Sequence, residues 1–226
     1  MISEKDLFKF KAHEIKAKSI FSIREVDKNT CYEFVRRYHY LGNAKFFCVH
    51  GYGMYYRDEN GCEEMVGCAT YSNPQGILAL KGWFSLTNDC TDILELSRLC
   101  LYPCLNNTNA TSFLLGNSIK MLKKYGIRAV ITLADASRHV GSIYQVCNFK
   151  YYGLTHPNLD FYSADGYKNP RGQVSDRNGV WVERARKHRY CYVLDKTLSI
   201  NYPPPTVPSC QRQDRAYLLQ RNKESL

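Results

Sequence analysis

No stretch of this chain approaches the roughly 20 consecutive apolar residues that a membrane-spanning helix needs, so no membrane partner is expected. The start, Met1-Ile2-Ser3-Glu4-Lys5, carries charge at once and has no apolar leader, which points to a cytoplasmic protein. Internal repeats are absent, and with them the stacked-repeat architectures. Tryptophan is scarce, with 2 residues against 18 tyrosines. Tyrosine combines a stacking face with a polar tip, so this bias fits either wet, base-lined pockets or the polar edge of a core.

What is present is ordinary globular material. Apolar residues make up 44% and charged residues 23%, which excludes general disorder. At 226 residues, one elaborated domain is expected over 1–202, followed by a tail over 203–226 that opens on Pro203-Pro204-Pro205. The 10 cysteines do not read as a disulfide framework. Cys48, Cys68, Cys100 and Cys191 sit inside apolar runs, where a thiol acts as a small hydrophobe. Cys100 and Cys104 have a ligand-like spacing without a second close pair, so no metal site is legible.

The net charge is +10 and is unevenly spread. Residues 1–45 hold ten Lys and Arg against six Asp and Glu, residues 46–167 nine against ten, and residues 168–226 twelve against five. A neutral middle flanked by basic segments is what a site positioned on a polyanion requires. Solvated basic tails have the same signature.

Hydrophobic periodicity orders the chain. Residues 19–26 alternate as a strand, and Asp27-Lys28-Asn29-Thr30 caps a helix that ends at Tyr38, with Tyr32, Phe34 and Val35 on its apolar side. His39-Tyr40-Leu41-Gly42 leaves that helix in a turn where Gly42 offers a positive φ. Strands are expected at 46–56 and 65–71, joined by the hairpin signal Asp58-Glu59-Asn60-Gly61, and at 93–102. A helix over 110–125 closes on Gly126, followed by a strand at 127–133, a short helix at 141–147 and a strand at 149–154. Trp181-Val182 and residues 190–194 read as late strands. The order β-α-β-β-β-α-β-α-β predicts an α/β fold, a GNAT-like mixed central sheet with helices on both faces.

Chemistry-bearing residues fall at informative places on this frame. The strand ending Ala134-Asp135-Ala136 delivers a carboxylate at its C-terminal end, where open α/β sheets bind ligands, and Gly141-Ser142-Ile143-Tyr144 opens a helix beside it. Asp135 could equally cap that helix. Arg98 lies inside the apolar run Leu96-Ser97-Arg98-Leu99 and must be paired or reach a cavity; Asp135 is its expected partner. Ser118 faces inward between Leu114 and Leu122, a position where most serines bond back to their own helix. His39 and Tyr40 put a titratable ring and a phenol on a loop.

Taken together, Tyr38-His39-Tyr40 with Gly42, Glu95-Leu96-Ser97-Arg98-Leu99 and the run from Ala134 to Phe149 resemble the phage Mom family, as does Lys187-His188-Arg189-Tyr190. The resemblance covers about residues 30–195. It implies a GNAT-like fold, adenine in double-stranded DNA as substrate, conversion to N6-(carbamoylmethyl)adenine, and protection of phage DNA from restriction in the host cytoplasm. It also implies His39, Tyr40, Arg98, Ser118, Asp135 and Tyr144 as catalytic residues. The chain departs from acyl-CoA enzymes of this fold at 109–116, which lacks the glycine pair that wraps a pyrophosphate. Thr111 and Ser112 remain to bind a phosphate at that helix start. CoA is therefore disfavoured as donor against an activated glycine derivative or an aminoacyl-tRNA. Two alternatives stand: an acyl-CoA-dependent N-acyltransferase acting on an amine or protein, and a non-catalytic DNA-binding module.

Overall fold

The computed structural model describes residues 17–42, 45–58, 60–74, 82–84, 91–106, 108–168 and 178–201. Most of the basic lead-in, residues 169–177 of the basic segment and the Pro-led tail lie outside the described residues. The chain divides into two compact units. One comprises Met1–Thr132, Ile143–Lys150 and Cys191–Pro203; the other comprises Leu133–Ser142, Tyr151–Tyr190 and Pro204–Leu226.

A short helix, α1 (Ala17–Ile20), runs directly into β1 (Phe21–Val26). Helix α2 (Lys28–Tyr38) starts where expected, because the Asp27 carboxylate accepts the Asn29 and Thr30 amides at 2.8 and 3.1 Å. Its inward stripe is Cys31, Phe34 and Val35. Tyr32, expected on that stripe, is half-buried and donates its hydroxyl to the Phe46 carbonyl at 3.0 Å. Strands β2 (His50–Arg57) and β3 (Glu63–Ser72) form the hairpin, with Gly61 at φ 83° and Asp58 accepting the Asn60 and Cys62 amides. Strand β4 (Ile93–Leu101) is followed by α3 (Ala110–Leu122), a turn of 3-10 helix and Gly126 at φ 71°. The remaining elements are β5 (Ala129–Asp135), α4 (Ser142–Val146), β6 (Lys150–Leu154), β7 (Leu159–Tyr162), β8 (Val180–Glu183) and β9 (Lys187–Val193).

Hydrogen-bonded neighbours in the main sheet run β1-β2-β3-β4-β5-β9-β6, and β7 pairs with β8 in a separate ribbon. The sheet is mixed: β1 to β4 are antiparallel, while β4 and β5 are parallel through Ile93–Ala129, Leu94–Val130 and Glu95–Ile131. In the first unit the helices take opposite faces of β2 and β3. Gly51 meets the Cys31 sulfur of α2, whereas Gly67, the next strand over, meets Leu114 of α3. In the second unit Tyr151 packs on Tyr190 with ring centres 5.2 Å apart, and its hydroxyl lies 3.0 Å from His188 Nδ1. Seven described tyrosines are buried, so much of the tyrosine excess serves the core.

Three expectations change. Strand β2 begins at His50 rather than 46: Phe46 is buried against Tyr32, Phe47 is exposed, and ladder pairing starts only opposite Tyr71. Strand β7 escaped notice because four residues, one of them a buried Asp160, carry almost no periodic signal. Gly42 does not adopt a positive φ; its role is close approach, since a Cβ there would lie 2.5 Å from the Arg36 carbonyl oxygen. Gly51 is constrained likewise, with a Cβ only 2.3 Å from Cys31 Sγ and 3.0 Å from the Val26 carbonyl oxygen. Gly51→Ala is expected to cost about 1–3 kcal/mol of stability, read as a lower urea midpoint with unchanged slope.

Candidate active site

In the first unit, the site begins with a backbone irregularity. Between β3 and β4 the register steps from Thr70–Arg98 to Tyr71–Leu96, so Ser97 is one extra residue on β4. Such bulges re-aim the side chains beside them. The Ser97 hydroxyl donates to Ser72 Oγ at 2.6 Å, tying the bulge across the strands. Arg98, next to it, donates Nη1 to the Ser97 carbonyl at 2.7 Å and places its guanidinium 5.0 Å from the centre of the Phe46 ring. Among the described residues its buried Nε has no partner, nor does the hydroxyl of fully buried Thr70 directly across the ladder. Burial lowers the Arg98 pKa from its ordinary value, yet a guanidinium stays charged through such shifts. A half-buried cation beside two unsatisfied polar atoms is arranged to receive an anion or a developing negative charge.

His39 caps α2 and faces this cation. Its Nδ1 accepts the Leu41 amide at 3.0 Å, which leaves the ring proton on Nε2 in the neutral form. Burial, with Arg98 adding to it, pushes the His39 pKa down to about 4. The ring is thus neutral near pH 7. Tyr40 stacks on it at 4.3 Å and 28°, and is itself 58% exposed. Between them they present a flat aromatic surface with an N–H donor at its edge. His39, Tyr40 and Arg98 are therefore brought together as a group.

Ser118 and Tyr144 belong to a different part of the same unit. The Ser118 hydroxyl donates to the Leu115 carbonyl at 3.0 Å, so the 2.6 Å bond to Tyr71 has the tyrosine as donor. Both side chains are fully buried, and burial pushes the Tyr71 phenol up. Ser118 thus holds Tyr71 in place. Tyr144 is buried against Phe149 with ring centres 5.7 Å apart. At the start of α3, Ser112 donates to the Asn109 carbonyl at 2.9 Å. Asn109, Ser112 and Phe113 line an open cavity of about 740 Å³ together with Ala17, Lys18 and Ser19. Thr111 stands in the same helical turn, half-buried.

Asp135 ends β5 in the second unit. Its Oδ1 accepts the Ser137 amide at 3.0 Å and the Ser137 hydroxyl at 2.6 Å, and its Oδ2 lies 4.0 Å from Arg138 Nε. Asp135 thus organises the turn at Ser137 and does not cap α4, which begins at Ser142. Burial pushes its pKa up, but the two Ser137 bonds, with Arg138 and Lys187 nearby, outweigh it and hold the carboxyl below its usual range. His139 is depressed by burial, against the pull of Asp135. Arg98 and Asp135 fall in separate units, each with its own partners: Arg98 bonds the Ser97 carbonyl and Asp135 bonds Ser137. Among the described residues, no cluster of three or more His, Cys, Asp or Glu is placed to hold a metal ion, and no helix is long and apolar enough to cross a membrane.

Thr70, Phe46 and Lys18 were not singled out in the sequence. Thr70 has a readable signal only once the β3–β4 register is known. Phe46 resembled any strand residue, and Lys18 one more charge in a basic lead-in.

The element order and mixed sheet give the chain a GNAT-like α/β fold. The family model described as the Mom protein family matches residues 20–209, and the chain belongs to that family. Among solved structures it is similar to an N-acetyltransferase from Staphylococcus aureus Mu50, at 17% identity over 77% of this chain and 99% of that one, with a TM-score of 0.45. It is also similar to Arabidopsis thaliana NAA60 in complex with acetyl-CoA, at 12% identity over 77% and 99% with a TM-score of 0.49. A third is the ribosomal-protein-S18-alanine N-acetyltransferase from Escherichia coli, at 13% identity over 78% and 95% with a TM-score of 0.46. No curated protein matches.

The depressed His39 pKa has a measurable consequence. Between its ordinary 6.5 and about 4 the unfolded chain binds the proton and the folded chain does not. Its contribution to stability is complete above pH 6.5 and is lost as pH falls toward 4. Urea unfolding at pH 7 and pH 5 is expected to show a smaller acid loss in His39→Gln than in the native chain.

Proposed function

We propose that this protein modifies the N6 amine of adenine in double-stranded DNA, transferring a carbamoylmethyl-type unit that shields phage DNA from host restriction. Membership of the Mom family over residues 20–209 carries the reading. The local chemistry is consistent with it. The adenine amine is a poor nucleophile because its lone pair is delocalised into the ring. As that lone pair forms the bond to the donor carbon, the donor's leaving group departs with its bonding electrons and the N6 protons become acidic. An ionised Asp135 is then a sufficient acceptor even with a low pKa, and before reaction its Oδ2 orients the amine.

Arg98, with Thr70 across the ladder, meets negative charge on the donor or its leaving group. The His39–Tyr40 surface offers a stacking platform for a base drawn out of the duplex. Ser118 holds Tyr71, and Tyr144 packs on Phe149, so both brace the first unit rather than meet the substrate. The donor, an activated glycine-type or acetyl-type unit, takes the cavity at the start of α3, with Thr111, Ser112 and Lys18 toward any phosphate it carries. Lys18 there also favours a second reading, an acyl-CoA donor. Titration of the protein with acetyl-CoA separates the two: micromolar binding without any effect on adenine supports the acyltransferase.

Nucleosides from DNA of cells expressing the chain are the direct test. Mass spectrometry is expected to find modified adenine with the native protein. Asp135→Asn is expected to lower it by about 10²–10⁴-fold, and Arg98→Lys by about 10²–10³-fold. Unmodified adenine in the presence of folded, abundant native protein overturns the proposal.

A further inference from the structure

The second unit carries an apolar surface that the chemistry above does not use. The ribbon of β7 and β8 pairs Leu159 with Glu183, Asp160 with Val182, Phe161 with Trp181 and Tyr162 with Val180. All four residues of β8 are exposed, Trp181 by 57%, and Leu159 is exposed by 49%. An isolated two-stranded ribbon that leaves an indole in water is costly to keep without a purpose. The indole is also held firmly. It meets the buried Phe161 ring edge-on at 5.2 Å, and Gly179 closes the end of the ribbon so tightly that a Cβ there would lie 2.2 Å from Phe161 Cζ and 2.3 Å from the Tyr162 carbonyl oxygen.

The charge of this segment is net positive, although Glu183 shares the face of Trp181. On the opposite face Asp160 is bonded to both Lys168, at 2.5 Å, and Arg184, at 3.1 Å, so the triad carries a net positive charge. Arg186, Lys187 and Arg189 follow Arg184 within five residues of sequence. An aromatic wedge on one face of a narrow ribbon, with cations on the other face and along the following strand, matches a duplex: the ribbon fits a groove, the cations meet phosphates and the ring stacks on bases.

We infer that the β7–β8 ribbon is a DNA-contacting wedge, with Trp181 stacking on bases beside the target adenine and Lys168 and Arg184 contacting the backbone. The inference rests on the DNA reading above and adds where and how the duplex is gripped.

The full chain and a short duplex containing adenines test it by fluorescence anisotropy at two salt concentrations. Of the two tryptophans, Trp83 is buried and Trp181 exposed, so iodide quenching of native protein fluorescence reports Trp181 directly. The wedge requires that duplex DNA shield the indole from iodide, that Trp181→Ala weaken binding about tenfold, and that Trp181→Phe keep most of it. Native affinity in Trp181→Ala overturns the wedge and leaves the DNA reading standing. Absence of salt-sensitive duplex binding by the native chain overturns both. A change of oligomeric mass in Trp181→Ala, by light scattering and with DNA affinity unchanged, makes the ribbon a contact between copies and likewise overturns it.

Discussion

The candidate site depends on one extra residue in β4. Ser97 stands opposite no residue of β3, and the ladder must accommodate it by turning the strand. That turn decides which way Arg98 faces, and the Ser97–Ser72 bond keeps the turn from relaxing. Without the bulge, Arg98 would be one more side chain on a regular sheet, and its desolvation would have to be repaid by a carboxylate. Instead it rests against Phe46 and the end of α2, with Thr70 opposite and Nε still unsatisfied. Unsatisfied groups at a strained point of a sheet are how a fold stores affinity for something it does not itself contain.

Within each unit the ionisation states are sorted by environment rather than by residue type. His39 is neutral because burial and the guanidinium both oppose a second positive charge. Asp135 is ionised because Ser137 bonds it twice. The buried Tyr71 is kept protonated and spends its proton on Ser118. The buried thiols Cys100 and Cys191 are likewise held protonated, each pushed up to about 12 by burial. Near neutral pH each of these groups therefore has a fixed state: Arg98 a cation, Asp135 an anion, and His39 and Tyr71 neutral donors.

Much of the fold could be read from the sequence because its signals are local. Asp27 at a helix start, Gly126 at a helix end and Asp58 to Gly61 between two strands each act on their immediate neighbours, and each stands where expected. The element order followed from them. What escaped reading depends on partners distant in sequence. Phe46 looks like a strand residue until Tyr32 and Arg98 claim it. Gly42 looks like a positive-φ glycine until the Arg36 carbonyl is seen beside it. Of the site, the residue types were legible and their grouping was not. Arg98 with His39 and Tyr40 forms one group, while Ser118, chosen from helical periodicity, proves to brace a tyrosine. Strand β7 shows the limit most plainly, since its buried Asp160 makes sense only with Lys168 and Arg184 around it.

The bond from the Leu41 amide to His39 reaches further than its 3.0 Å. A free imidazole is a two-ended carrier that can take a proton at one nitrogen and release another from the other. Here the Leu41 amide occupies Nδ1, Nε2 carries the ring proton, and burial together with the neighbouring guanidinium opposes a second proton. What remains is an imidazole with a single direction, able to point a hydrogen bond and unable to pass a proton along a chain. Near neutral pH His39 is thus a fixed hydrogen-bond donor at Nε2.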